Sequence, residues 1–228
     1  MSFFAHLRLL RKKNKSLKRG EIELHILKFL CNRDKVSIDV GANKGNYSLE
    51  MSKYSKRVLC IEPNSNFNKY LKNMPKNCEI LNCAVSSSEQ ETFLHAPIID
   101  GDAKPNTAFI SQNETVENTT CISRVNSIRL DNFIDENVGM IKIDVEGGEL
   151  DVLNSTQKLI QRCWPNFLIE GLTKNELTEQ INFFKSFGYI GLKIIKDDIF
   201  FVKDENIFDK CRKVDRNTIF IPTKKPYY

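Results

Sequence analysis

The sequence predicts an α/β protein with a mostly parallel sheet and helices on both of its faces. Short apolar runs alternate with stretches of helical periodicity along most of the 228 residues, which is typical of βαβ units. Two glycines, Gly41 and Gly45, follow the first apolar run and precede a helix-like stretch. The last two apolar runs are separated only by "KDD" and predict an antiparallel hairpin that completes the sheet.

The apolar runs and the periodic stretches between them give the expected order of elements. Strands are expected at residues 36–40, 57–62, 79–85, 140–145, 166–172, 189–195 and 199–203. Helices are expected at residues 20–31, 46–54, 64–73, 147–161 and 174–187. Residues 1–34 are then a basic N-terminal segment with a helix, and residues 35–228 form one domain.

Residues 86–131 do not follow this alternation. The segment is polar, and Pro97, Gly101 and Pro105 interrupt it. A stretch of this length inside a compact domain is usually functional or mobile. We expect strands near 90–96 and 120–129 with a lid-like loop between them, forming a variable insertion that contacts the substrate.

Three features of the composition bear on the class of protein: the basic N-terminal cluster, the scattered cysteines and the lengths of the apolar runs. The net charge is +5, and many of the basic residues lie close to the N-terminus: Arg8, Arg11, Lys12, Lys13, Lys15, Lys18 and Arg19. This cluster is either a solvated terminus or a patch that attracts an anionic partner. The seven cysteines are scattered without a C-x-x-C pair, which favours a cytoplasmic protein over a disulfide framework or a zinc site. No apolar run is long enough for a signal peptide or a transmembrane segment.

The turn "DVGANKGNYS" indicates a nucleotide cofactor. Asp39 ends a strand, and Gly41 and Gly45 allow positive φ and close approach of a ligand before a helix begins near Asn46. Glu62 ends the second strand, where a carboxylate can accept hydrogen bonds from the two hydroxyls of a ribose. The dinucleotide pattern G-x-G-x-x-G is absent, because Asn43 replaces its second glycine. A carboxylate at position 39 suits the ammonium group of S-adenosylmethionine better than the pyrophosphate of NAD.

The chain resembles the FkbM family of methyltransferases. The matching segments, in family order, are "DVGANKGNYS", "IEPNSNF", "NCAVSS", "SIRLDNF", "IKIDVEGGELDVLNS" and "FLIEGL". The resemblance implies a class I methyltransferase (Rossmann-like) fold with a seven-stranded sheet and S-adenosylmethionine as cofactor. It also implies O-methylation of a sugar, a glycan or a related small molecule with a hydroxyl group. The family motifs cover neither the basic N-terminal segment nor most of the polar 97–120 segment.

The expected cofactor site has three parts. Asp39, Gly41, Asn43 and Gly45 are expected to surround the methionine end, and Glu62 is expected to hold the ribose. Pro63 and Asn64 shape the adenine side. Residues after the third predicted strand contribute either to the adenine pocket or to ordinary packing at the strand end: Asn82, Ala84 and Val85.

The expected catalytic residues follow the fourth strand of the predicted domain sheet. Alternation places Lys142 and Asp144 on one face, with Asp144 near the methyl group and Glu146 in the acceptor pocket. A hydroxyl acceptor must lose its proton to a base, for which the candidates are Asp144, Glu146, His95 and Glu170. Lys142 can keep one of these acids ionised. Glu149 either stabilises the start of the next helix or takes part in the site.

A metal site and three other functions are alternative interpretations of the sequence. Asp144 and Glu170 can hold Mg²⁺ between two strand ends, but Gly171 stands where related metal-dependent enzymes carry an amide, so a metal-free site is favoured. An RNA methyltransferase is favoured only by the positive charge, since the sequence lacks both N/D-P-P-Y/F and a Pro-Cys motif. A nicotinamide-dependent oxidoreductase conflicts with the glycine pattern. A cofactor-binding module without catalysis is disfavoured by the three acids at 39, 62 and 144. The acceptor and the oligomeric state are left open.

Overall fold

The structure is a computed structural model that describes residues 22–196, 198–212 and 215–223. The basic cluster between Arg8 and Arg19 lies outside these residues. The strands are β1 Val36–Val40, β2 Arg57–Ile61, β3 Cys78–Leu81, β4 Ala84–Val85, β5 Glu91–Ile99, β6 Asp102–Ala103, β7 Phe109–Ser111, β8 Thr119–Ile128, β9 Val138–Ile143, β10 Asn166–Glu170, β11 Tyr189–Ile195, β12 Asp198–Val202 and β13 Asn217–Pro222. The helices are α1 Leu27–Leu30, α2 Asn46–Ser52, α3 Asn68–Leu71, α4 Leu130–Phe133, α5 Glu149–Asn154, α6 Gln157–Cys163 and α7 Lys174–Ser186.

The main sheet confirms the predicted α/β architecture and corrects its strand number. Its order is β12-β11-β13-β10-β9-β1-β2-β3, so the described part of the chain forms eight strands here rather than seven. The pairs between β3 and β10 are parallel, and β11 and β12 form the predicted antiparallel hairpin. The hairpin does not contact β10 directly, because the unpredicted strand β13 lies between β10 and β11.

Helices cover both faces of the main sheet, as predicted. One face packs Ile38, Ile141 and Phe167 against apolar residues of α4, α5, α6 and α7. The other face packs Met140 and Leu168 against apolar residues of α1, α2 and α3. Burial on both faces explains why β1 and β9 are buried along their whole length and read as continuous apolar runs.

The predicted helices form in the expected places, but several are short or divided. Residues Ile22–Ile26 form a 3₁₀ turn before α1, and the expected helix at 147–161 consists of α5 and α6. The longest helix, α7, begins with a capping box: Thr173 Oγ1 accepts from the backbone N–H of Glu176 at 3.2 Å, and the Glu176 carboxylate accepts from that of Thr173 at 3.1 Å. Such a box satisfies backbone donors that the first helical turn leaves free.

The insertion forms a second, smaller sheet beside the main one. Its order is β4-β8-β5-β6, with β7 paired to β5. Strands β5 and β8 are antiparallel and confirm the two strands expected near 90–96 and 120–129. The third predicted strand is divided, because β4 pairs with β8 instead of continuing β3. A 3₁₀ turn, Pro105–Thr107, lies between β6 and β7.

Two further expectations concern the cysteines and membrane-spanning segments. All seven cysteines are free thiols. No helix within the described ranges has the length and apolarity needed to cross a membrane.

Candidate active site

A cavity of about 330 Å³ opens at the carboxyl ends of the parallel strands and extends under the insertion. In open α/β sheets this edge is the usual ligand-binding side. Its walls include Val40, Gly41, Asn43, Ile61, Glu62, Pro63, Phe67, Ala84, Val85, Leu94, Phe109, Asp144 and Glu146. The cavity therefore brings together residues expected at the cofactor and residues expected at the acceptor.

The turn after β1 depends on glycine at position 41. Gly41 has φ of 76°, and a Cβ at this position would lie 1.8 Å from the carbonyl oxygen of Asp144. Its backbone N–H donates to Ile61 O at 3.0 Å, so the turn is fixed against both neighbouring strands. Gly45, with φ of 82°, is the N-cap of α2. Glycine is therefore needed at position 41 because a side chain would clash with the next strand end, and at position 45 because the N-cap has a left-handed φ.

Glu62 lies in the cavity wall, in the part expected to face the cofactor. The residue is 6% exposed, and its carboxylate accepts the backbone N–H of Asn43 at 2.7 Å and that of Asn64 at 2.8 Å. Burial raises the pKa of Glu62, and the two backbone N–H groups oppose this shift. Asn82 does not line the cavity; its amide donates to Glu62 O at 2.7 Å and Pro63 O at 3.3 Å. Asn82 thus holds the backbone that carries Glu62.

Asp39 lies behind the turn rather than in the cavity wall. It is fully buried, accepts from Ser48 Oγ at 2.6 Å, and lies 3.6 Å from the ammonium of Lys142. Burial raises the pKa of Asp39, and Lys142 opposes the shift. The structure therefore places Asp39 where it supports the turn, and a direct contact with the methionine end stays a prediction.

Lys142 lies behind the cavity wall, between Asp39 and Asp144. Its ammonium lies 3.0 Å from Asp144 and 3.6 Å from Asp39, with the ring of Tyr47 4.7 Å away. The side chain is only 3% exposed and does not line the cavity. Its position fits the expected role of keeping an acid ionised.

Three acids form a cluster at the strand ends, which we call the acidic cluster: Asp144, Glu146 and Glu170. One carboxylate oxygen from each lies within 4.8 Å of the others. Burial and the Asp144 carboxylate raise the pKa of Glu170 to about 8. Burial, the largest single effect, disfavours ionisation of Asp144 too, but Lys142, Glu170 and Arg216 together lower the pKa of this carboxyl. The pKa values of Asp144 and Glu170 are therefore shifted in opposite directions.

The turn that carries Glu146 is held by Glu149. Glu146 has a left-handed φ of 58°, which is uncommon for a residue with a side chain. Glu149 Oε1 accepts the backbone N–H groups of Val145 and Gly147, both at 3.2 Å. Glu149 is itself 2% exposed, so it acts as a structural support for this turn.

His95 is not brought to the cavity. It is fully buried, and its ring nitrogens lie 3.0 Å from Thr119 Oγ1 and 2.9 Å from Asn113 O. Both nitrogens are thus occupied within the insertion. The structure therefore gives His95 a packed position within the insertion and gives no support to it as the base.

Several wall residues were not found from the sequence. Phe67 and Phe109 provide aromatic walls, and Asp151 lies near them in the same cavity. Arg216, at the start of β13, lies 3.7 Å from Glu170. Phe67 is an apolar residue within the polar stretch after Glu62, and this contrast could have indicated that it faces the cavity. No local pattern indicated that Arg216 would reach the acidic cluster, because the position of β13 was not predicted.

The strand order, the glycine turn and the acid-terminated strands define a class I methyltransferase fold. The sequence model of the methyltransferase FkbM domain matches residues 39–190. The chain belongs to this family, whose members are S-adenosylmethionine-dependent methyltransferases. No curated protein matches the sequence.

Solved structures of other proteins share the fold. A methyltransferase FkbM from Methylobacillus flagellatus has a TM-score of 0.56 and 17% identity, covering 83% of this chain and 44% of its own. The present chain thus spans less than half of that protein. An rRNA methylase from Streptococcus thermophilus has a TM-score of 0.50 and 10% identity, covering 90% of this chain and 96% of its own. At these identities the likeness concerns the fold alone.

Proposed function

We propose that the protein transfers a methyl group from S-adenosylmethionine to a hydroxyl group of a sugar, a glycan or a related small molecule. One observation supports this most directly. Glu62, where the fold binds the ribose of a nucleoside cofactor, and the acids Asp144 and Glu146 line the same cavity. A cofactor held by Glu62 would extend towards Asp144 and Glu146.

The residues present fit this cofactor. Glu62 offers carboxylate oxygens to the ribose hydroxyls, and the tight turn that Gly41 permits brings Asn43 into the same cavity wall. Phe67 and Val85 give apolar wall for a planar base. The carboxylate of Asp144 complements a positive charge at the sulfonium.

The chain's own residues supply alignment and proton transfer. S-adenosylmethionine, when bound, would supply an electrophilic methyl group, with S-adenosylhomocysteine as the leaving group. Glu146 would accept the proton of the acceptor hydroxyl. Burial, and then the neighbouring Asp144 carboxylate, raises the pKa of Glu146, which makes it a stronger base than an ordinary glutamate. Asp144 stays ionised and orients the reacting groups.

The lining of the cavity supports an uncharged, hydroxylated acceptor. Its polar wall is made largely of hydroxyl and amide groups: Ser86, Gln90, Thr92, Ser111, Gln112 and Ser127. Among the described residues that line it, four are acidic and none is Lys, Arg or His. A phosphate inside the cavity would therefore face like charges without a compensating cation, which favours a sugar over an RNA backbone.

Calorimetry with S-adenosylhomocysteine and transfer of a labelled methyl group to sugars and glycans test the proposal together. Glu62→Ala is expected to lose cofactor affinity. Glu146→Gln is expected to keep affinity and lose about 10²- to 10⁴-fold in turnover. Glu179→Gln, an exposed change on α7, is the control. Unchanged cofactor binding by Glu62→Ala contradicts the site. Binding without transfer to any hydroxyl acceptor indicates a non-catalytic module, and labelling of RNA alone indicates the other substrate class.

The remaining parts of the proposal concern the N-terminus and the location. We expect that deleting residues 1–19 leaves affinity for S-adenosylhomocysteine unchanged, since residues 39–190 carry the family match. A large loss would show that the basic segment takes part in the cofactor site; loss of salt-sensitive retention on an anionic resin would identify it as an anion-binding patch. The free thiols are consistent with a cytoplasmic protein.

A further inference from the structure

Part of the cavity wall comes from the insertion and not from the main sheet. Pro105, Asn106 and Phe109 line the same cavity as Gly41 and Glu62. The sequence suggested that the insertion selects the acceptor. Its position beside the turn after β1 gives it a second role.

Two side-chain amides join the insertion to the cofactor side. Asn64 Nδ2 donates to Pro105 O at 3.2 Å, and Asn43 Nδ2 lies 3.5 Å from Asn106 O. The backbone N–H groups of the same two asparagines bind the carboxylate of Glu62. The Pro105–Thr107 turn is therefore attached to the pair of residues that also position the ribose-binding acid.

The aromatic wall of the insertion has a rigid support. The ring of Phe109 stacks on the ring of His95, with centroids 5.9 Å apart and planes 26° apart. His95 is held by Thr119 and by the backbone of Asn113. The buried histidine, unused in proton transfer, thus fixes the orientation of a ring that faces the cavity.

We propose that the insertion forms the outer wall of the cofactor pocket. Phe109 packs on the bound nucleoside, and Asn64 is a positioning residue that docks the Pro105–Thr107 turn. This inference rests on the proposed function, because it concerns the same cofactor.

Hydrogen exchange with S-adenosylhomocysteine as probe tests the inference in the full-length protein. The probe is expected to slow exchange at residues 104–112 of the wild-type protein. Asn64→Ser keeps a side-chain oxygen that can cap the next turn but cannot reach Pro105. It is expected to weaken affinity about two- to tenfold, the worth of one hydrogen bond, and to reduce the protection of 104–112. Asn66→Ser, an exposed change in the same segment, is expected to behave as wild type.

A second variant keeps the test decisive if Asn64→Ser folds poorly. Phe109→Ala is expected to lose at least about fivefold in affinity, as for loss of aromatic stacking on a base. Wild-type binding without slower exchange at 104–112, together with unchanged affinity of Phe109→Ala, overturns the inference and leaves the proposed function standing. Failure of the wild-type protein to bind S-adenosylhomocysteine overturns both.

Discussion

Replacing Gly41 with alanine tests whether close approach of two strands builds the site. An alanine Cβ would lie 1.8 Å from the carbonyl oxygen of Asp144, against about 3.5 Å for an unstrained non-bonded contact. Either the turn or the end of β9 must therefore move by more than an ångström. Both carry residues of the cavity wall, so the change is expected to damage stability and cofactor binding together.

Gly101 offers a matched control for the backbone part of this effect. It has φ of 81°, and nothing lies within 4 Å of its would-be Cβ. The left-handed conformation costs alanine about 1–2 kcal/mol, and lower entropy of the unfolded chain returns about 0.4–1 kcal/mol. Gly101→Ala is thus expected to cost about 1 kcal/mol. Gly41→Ala adds an overpacking cost of about 1–3 kcal/mol, for a total of about 2–4 kcal/mol.

Urea denaturation and calorimetry with S-adenosylhomocysteine measure the two expected effects. For a domain of this size the Gly41→Ala cost corresponds to a fall in Tm of roughly 5–15 °C. Affinity is expected to fall at least about tenfold, because the turn that presents Asn43 to Glu62 shifts. Equal destabilisation by Gly41→Ala and Gly101→Ala, with unchanged affinity in both, would refute the reasoning.

Three further predictions concern the charges beneath the site. Lys142→Met leaves Asp39 buried without its cation and is expected to lower the free energy of unfolding by about 3–5 kcal/mol in urea, against no change for the exposed Lys72→Met. The folded-state pKa of Glu170 is about 8, above its ordinary value of 4.5. The protonated side chain therefore contributes fully to stability below pH 4.5, and this contribution is lost as the pH rises to about 8. Glu170→Gln should therefore flatten the fall in stability across this window, and Glu179→Gln should not. MgCl₂ is expected to leave Tm unchanged at neutral pH and EDTA to leave methyl transfer intact; a Mg²⁺-dependent rise that Glu170→Gln abolishes would contradict this.

The sequence was most informative where one local pattern decides the structure. Buried parallel strands read as apolar runs, so β1 and β9 were predicted within two residues at each end. Glu62 could be placed at a ligand because carboxyl ends of neighbouring parallel strands share one edge of the sheet. Backbone topology alone was thus enough to predict that Glu62, Asp144 and Glu146 would lie near one another, and all three line one cavity.

Long-range pairing explains what the sequence did not supply. Strand β13 is a short apolar run near the C-terminus, and only its pairing with both β10 and β11 makes it a central strand. Its start brings Arg216 to the acidic cluster. The direction of His95 was also hidden, since its partners belong to the far strand and loop of the insertion.

Register across the sheet explains how so many charges are tolerated beneath one cavity. Asp39 and Lys142 are direct partners in the β1–β9 register, and Lys142 reaches Asp144 on its other side. A carboxylate oxygen of Glu170 lies within 4.8 Å of one of Asp144, and Arg216, just before β13, lies 3.7 Å from Glu170. Acidic and basic side chains thus alternate along the edge of four neighbouring strands, so Asp39, Asp144 and Glu170 each have a cation nearby that reduces the desolvation cost.

Glu146 differs from the other acids in this respect. It follows the strand end on a turn with left-handed φ, and among the described residues no ion pair involves its carboxylate. Asp144 is paired with Lys142, and Glu170 lies 3.7 Å from Arg216. We infer that these ion pairs hold Asp144 and Glu170 in place, which leaves Glu146, without an ion pair among the described residues, as the acid of the cluster suited to accept the proton of the acceptor.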